Sequence, residues 1–354
     1  MMKKPAYLEG ISGSMVKTDR IQLHVLSTPG DGTPVLFMHG NFSSALFWEE
    51  TMLALPAGYR AIAPDLRGYG WTEAQPIDAT RGYRDWSEDI LALMDTLELE
   101  SAHFVAWSLS AGVVYRLISD APGRIRSATL ISPVSIYGFG GTRDIEGTPT
   151  YSDFAGSGGG TVNPEFIQHI KDGDRSDEGM NAPRNVINSS YYKPPFRAAR
   201  EEDFLTGALA EQTGEQAYPG DSVPSTNWPF TAPGVWGPIN ASAPKYIQED
   251  AEDVLASTRK PPILWIRGSD DLIVSDNSLF ELGTLGKMGL VPGWPGEEEY
   301  PSQPMVGQMR AFLTRYSESG GAFSEHIIED TGHSPHIEKP DVFNTILHDF
   351  LESN

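Results

Sequence analysis

Residues Ala102 to Gly112 read AHFVAW-SLSAG, an apolar run with strand character that passes into a helical period through Ser108. A serine at such a junction stands where a nucleophile elbow would put it, on a sharp strand-to-helix turn with its hydroxyl exposed at the end of a sheet. Glycines are usual two positions either side, because the strand and helix backbones crowd together there. In this chain those positions hold Ala106 and Ser110. Taken alone, the serine reads more readily as a helix N-cap than as a nucleophile.

Outward from this stretch, short β-rich runs alternate with helical periods. Arg20–Leu26, Pro34–Met38, Arg60–Pro64, Ala102–Trp107 and Ile125–Ser132 read as strands, and Ser44–Leu55, Arg84–Leu97 and Leu109–Ser119 as helices. That alternation predicts βαβ units and a mostly parallel sheet. Runs such as VLFM and TLIS suit strands covered on both faces. Strand character returns at Pro262–Arg267 and Ala322–Glu329, and Pro340–Leu351 predicts a closing helix. Between them, residues 133–257 are rich in Gly, Pro and aromatic residues and lose the alternation. A segment that long is not a loop of a compact domain, so an inserted lid is expected.

Three further stretches carry chemistry. His39-Gly40-Asn41-Phe42 follows directly on the strand PVLFM. Gly40 permits a tight turn, and the N–H of Asn41, paired with that of Leu109, is the candidate oxyanion hole; such donors contribute about 2.7–4 kcal/mol each in the transition state. A plain glycine turn beside a hydrogen-bonded histidine is the structural alternative. Asp270 and Asp271 follow the strand PILWIR and Gly268, where a carboxylate points into the crevice of an α/β sheet. Asp271 is the preferred acid and Asp270 the reserve. His333, in Gly332-His333-Ser-Pro-His336, lies on a loop before the last helix, free to shuttle a proton. His333 and His336 lack the third ligand a zinc site requires, so no metal is expected, and no cofactor.

Composition narrows the partners. Against 26 Lys and Arg the chain has 48 Asp and Glu, a formal charge of −22, which repels phosphate backbones and anionic lipid. Nucleic acid and membrane are therefore not expected partners. The absence of cysteine fits a reducing compartment, and the start MMKKPAYLEG lacks the apolar run of a signal peptide. The expectation is a cytoplasmic protein acting on a small molecule; its oligomeric state stays open.

The order oxyanion loop, Ser108, Asp271, His333 resembles the α/β-hydrolase family over residues 20–134 and 258–352, and the loop Asp65-Leu-Arg-Gly-Tyr-Gly70 is similar to that family's segment after its fourth strand. The resemblance implies a mostly parallel eight-stranded sheet with helices on both faces, formed by residues 1–132 and 258–354, with a cap at 133–257. The 62 residues from Asp271 to His333 are about twice the family's usual spacing, which implies a second insertion at 286–304 on the rim of the site. Two branches of the family, the epoxide hydrolases and haloalkane dehalogenases, attack with an aspartate, and the loop HGNFSSALFW is similar to that of a dehalogenase. Ser108 sets this chain apart from both, as does Leu109 where a dehalogenase places tryptophan. The resemblance thus implies a Ser-His-Asp hydrolase of a carboxylic ester or lactone acting through an acyl-enzyme. C–C bond hydrolysis, perhydrolysis, or ligand binding with little turnover are the alternatives. Phe42, Trp107, Trp228 and Trp236 are candidates to line an apolar pocket, although each lid aromatic could equally pack a core of the lid itself.

Overall fold

The computed structural model describes residues 4–354. Eight strands form one sheet: β1 (Ser12–Lys17), β2 (Gln22–Ser27), β3 (Thr33–Met38), β4 (Tyr59–Pro64), β5 (Ala102–Trp107), β6 (Ile125–Ile131), β7 (Ile263–Gly268) and β8 (Phe323–Ile328). Their spatial order is β1-β2-β4-β3-β5-β6-β7-β8. The first two pairings are antiparallel and the rest parallel. The α/β class and the mostly parallel eight-stranded sheet are as expected from sequence. β1 is an addition to that reading: SGSMVK is exposed along most of its length and carries no apolar signal.

Period-2 geometry explains why the central strands are continuously apolar. On β5, Phe104 and Ala106 enter one core and Val105 and Trp107 the other; on β3, Leu36 and Met38 divide from Val35 and Phe37 in the same way. Helices cover both faces. On one lie α1 (Glu49–Leu53) and the C-terminal helix (Pro340–Glu352), and on the other α2 (Arg84–Thr96), α3 (Ala111–Asp120) and the helix Met305–Glu318. The central strands therefore point their C-terminal ends, where Ser108 and Asp270–Asp271 follow, to one common edge.

Between β6 and β7 the chain leaves the alternation and folds through helices Pro164–Asp172, Glu201–Ala208 and Asp250–Ala256, with two small two-stranded pairs. The last of these helices packs back on the sheet. Ala251 and Val254 join the α3-side core, and Arg116 of α3 pairs with Asp250 at 3.0 Å and Asp253 at 2.7 Å. Residues 250–256, which composition groups with the lid, thus belong physically to the core. Among the described residues, no helix is long and apolar enough to cross a membrane.

Candidate active site

Ser108 occupies the turn between β5 and α3 with φ +59°, the left-handed region that a side-chain-bearing residue enters only when its surroundings hold it there. Those surroundings are visible. The Ser110 hydroxyl accepts from the Trp107 N–H at 3.0 Å, and its own hydrogen lies within reach of the carbonyls of Met38 (2.8 Å) and Trp107 (3.0 Å). The serine standing where a glycine is usual therefore ties the end of β3 to the turn. Gly40 faces the turn from the neighbouring loop, where a Cβ would lie 2.9 Å from Ser108 Cβ and 3.1 Å from the Trp107 carbonyl. Only a residue without a side chain lets the two loops approach so closely.

The loop after β3 is held from below. Leu66 N–H donates to His39 Nε2 at 3.0 Å, which leaves the proton on Nδ1, 2.8 Å from the Gly40 carbonyl. Burial lowers the His39 pKa and keeps the ring neutral, as this tautomer requires. Beneath it, buried Asp65 accepts from the N–H groups of Ala45 (2.8 Å) and Trp71 (2.9 Å) and pairs with His24 at 2.7 Å. The Asn41 N–H donates to no acceptor among the described residues, and the Leu109 N–H lies in the first turn of a helix, where no intrahelical acceptor is available.

Asp271 and His333 meet although 62 residues separate them. Asp271 Oδ2 lies 2.9 Å from His333 Nδ1, while Oδ1 accepts from the N–H groups of Ile273 (2.8 Å) and Val274 (3.0 Å). Both residues are buried. Asp270 turns away toward Lys193, 3.0 Å from its ammonium group. His336 is also buried, stacked on Trp48 with ring centroids 4.5 Å apart, and burial lowers its pKa to about 3. It is a neutral packing ring.

Ser108 and His333 line one cavity of about 410 Å³ together with Asn41, Phe42 and Leu109. Ser108 Oγ makes no hydrogen bond to His333 among the described residues, a looseness common before substrate is bound. The remaining lining is mainly apolar, from Val134, Phe139, Phe166, Ile239, Ile273 and Leu285. Among the described residues, no Asp, Glu, Lys or Arg lines it, although the chain carries 74 such residues.

Of the aromatic candidates for the pocket, only Phe42 lines it. Trp107, wholly buried, turns into the opposite core, and its Nε1–H donates to the His333 carbonyl at 2.9 Å. Trp228 packs edge-on to Tyr300 and donates to the Pro292 carbonyl at 3.0 Å, so it joins the lid to the segment before Met305. The backbone N–H of Trp236 is held by Asp221 at 2.8 Å, and its ring is absent from the cavity wall. Tyr191 and Tyr218 line the cavity instead. Tyr191 ends a one-turn π-helix (Ile187–Tyr191) and Tyr218 opens a two-residue strand, elements too short to show a periodicity in sequence, so only the fold reveals which side chain faces inward.

A model of the alpha/beta hydrolase family matches residues 35–346. Among curated relatives, the chain is 32% identical over 126 residues to epoxide hydrolase 2 of Siraitia grosvenorii, which covers 35% of this chain and 40% of that protein. It is 40% identical over 108 residues to a non-heme chloroperoxidase of Streptomyces lividans, covering 30% and 38%. The chain thus spans about two fifths of the length of these relatives. Among solved structures, a carboxylesterase of Bacillus subtilis superposes over 97% of this chain and 92% of its own, with a TM-score of 0.58 and 16% identity.

Proposed function

We propose that this chain, which belongs to the alpha/beta hydrolase family, is a serine hydrolase that cleaves an uncharged carboxylic ester or lactone through an acyl-enzyme. The supporting observation is the cavity in which Ser108, on its strained turn, faces the same space as His333, whose Nδ1 is engaged by Asp271 at 2.9 Å. With Asp271 accepting from Nδ1–H, the Nε2 lone pair of His333 is left to take a proton.

In this reading Ser108 Oγ attacks the carbonyl carbon as its proton passes to His333 Nε2. The oxyanion that forms accepts from the N–H groups of Asn41 and Leu109. Collapse breaks the ester bond, with His333 returning the proton to the departing alkoxide. Water, deprotonated by the same histidine, then releases the acid and restores Ser108.

The name of the Siraitia relative raises epoxide hydrolysis. That chemistry calls for a carboxylate nucleophile, and among the described residues no carboxylate lines this cavity. The same absence of charge sets the substrate class, since an ion entering an apolar wall without a partner loses its hydration uncompensated. A panel of p-nitrophenyl esters tests this: neutral acyl groups should exceed an otherwise matched anionic half-ester in kcat/KM by about tenfold or more, equivalent to about 1.4 kcal/mol. Equal rates for the two, or no hydrolysis of any ester, would count against the proposal.

A further inference from the structure

Three consecutive lid residues meet both the oxyanion loop and the base loop. Tyr191 ends the π-helical turn Ile187–Tyr191, and Tyr192 and Lys193 continue from it as an irregular strap. The Tyr191 hydroxyl donates to the Asn41 carbonyl at 2.7 Å, with the Phe42 carbonyl also in reach at 3.3 Å. Its ring lies edge-on to Trp107, with centroids 5.4 Å apart, and 5.9 Å from the His333 ring. Burial raises the Tyr191 pKa well above the usual phenol value, so the hydroxyl keeps the proton it donates.

The far end of the strap is fixed to the base loop. Lys193 N–H donates to Glu338 Oε2 and Gly332 N–H to Glu338 Oε1, each at 2.7 Å, so one carboxyl group joins the strap to the residue before His333. The Lys193 ammonium group reaches Asp330 at 2.7 Å and Asp270 at 3.0 Å. A Cβ on Gly332 would lie 2.9 Å from both the Lys193 nitrogen and the Tyr192 carbonyl carbon, an approach that only glycine admits. At the other end, the two peptides flanking Asn41 are anchored from different parts of the molecule. The Gly40 carbonyl is held by core groups, His39 Nδ1 and the Ser43 hydroxyl, each at 2.8 Å. The Asn41 carbonyl is held by Tyr191 of the lid. Phe42 stands at φ +44°, a conformation that persists only where neighbours enforce it.

We propose that Tyr191 is a positioning residue for the oxyanion loop: its hydroxyl, carried on a strap anchored to the base loop, holds the Asn41 carbonyl so that the Asn41 N–H stays aimed into the cavity beside Ser108. The strap thereby sets the spacing between the oxyanion donor and His333, two groups that must act together at one carbonyl. The catalytic consequence rests on the acyl-transfer reading above. The positioning does not.

The test uses the full chain as wild type, Tyr191→Phe, Gly332→Ala and the double variant, followed by the backbone amide NMR signal of Asn41 and by p-nitrophenyl ester kinetics. Tyr191→Phe keeps the ring against Trp107 and His333 and removes only the donor. It should displace the Asn41 amide, one peptide away from the lost bond, and lower kcat about tenfold with KM within about twofold, as small misplacements of reacting groups do. The added methyl group of Gly332→Ala pushes on the strap. It should move the Asn41 amide while Tyr191 is present, and by less than about half as much once Tyr191→Phe has cut the link, because coupled sites are not additive. An Asn41 amide that ignores Tyr191→Phe would overturn the proposal. So would a loss confined to KM, the mark of a hydroxyl that contacts substrate, or an equal effect of Gly332→Ala in both backgrounds. Tyr191→Phe decides alone if Gly332→Ala does not fold. If the wild type hydrolyses no ester, acyl transfer falls, and the amide signal still decides whether Tyr191 holds the loop.

Discussion

The indole Nε1–H of Trp107 donates to the backbone carbonyl of His333 at 2.9 Å. The residue immediately before the candidate nucleophile is thereby bonded to the backbone of the candidate base, across 226 positions of sequence. Its ring also stacks obliquely on the His333 ring, with centroids 5.6 Å apart. Trp107→Phe keeps an aromatic ring in the core and removes this donor. Loss of a buried hydrogen bond costs about 1–3 kcal/mol, and the freed loop should lower kcat tenfold or more, about 1.4 kcal/mol in the barrier, with KM little changed. Urea unfolding and steady-state kinetics on the same preparation separate the two effects.

Asp271 holds the Nδ1 side of His333, and its other oxygen is fixed by two backbone N–H groups. Asp271→Asn keeps the shape and can present an N–H toward the ring, which favours the tautomer with its proton on Nε2. A loss of about 10⁴ in kcat is expected, the scale of such a change in serine proteases. Asp270→Asn, at the outward-facing Lys193 pair, should stay within about threefold of wild type, because exposed ion pairs contribute little. Kinetics of the two variants side by side check the assignment.

Glu338 joins the base loop to the lid, its carboxyl oxygens accepting from the N–H groups of Gly332 and Lys193 at 2.7 Å each. Burial, aided by the nearby Asp271 charge and opposed by those N–H groups, raises its pKa from 4.5 to about 7. Between these values the folded protein holds a proton that the unfolded chain has released. The stabilising effect of this group is therefore full below about pH 4.5 and lost as pH rises through about 7. Urea midpoints of wild type and Glu338→Gln at pH 5 and pH 8 isolate it: the variant should gain stability relative to wild type as pH rises.

How much of this was legible depended on where the signal lay. β5 and the Ser108 turn were readable because a strand covered on both faces is apolar at every position, and the passage to a 3.6-residue period marks the turn. β1 was not, since an exposed edge strand shows no such contrast. The helix Met305–Glu318 carried its signal in Met305, Gln308, Met309, Phe312, Leu313 and Tyr316, a buried stripe at helical spacing masked by the Pro/Gly-rich residues before it. At the site, Asp271, His333 and Gly40 each follow a readable strand, so their approach was foreseeable. Tyr191 and Tyr218 lie in segments without sustained periodicity, and the hydrogen bond of Tyr191 reaches back to residue 41. The bulk of Trp228 and Trp236 drew attention to the wrong side chains, because large aromatics serve packing as readily as binding.

The central claim is that Ser108 is an activated nucleophile. Intact-mass measurement after exposure to a fluorophosphonate tests it most directly. The account predicts one covalent adduct per chain in wild type, mapped to Ser108, and none in Ser108→Ala, whose ester hydrolysis should fall to the uncatalysed background. A wild-type chain that gains no mass, or a Ser108→Ala chain that labels and hydrolyses like wild type, would contradict it.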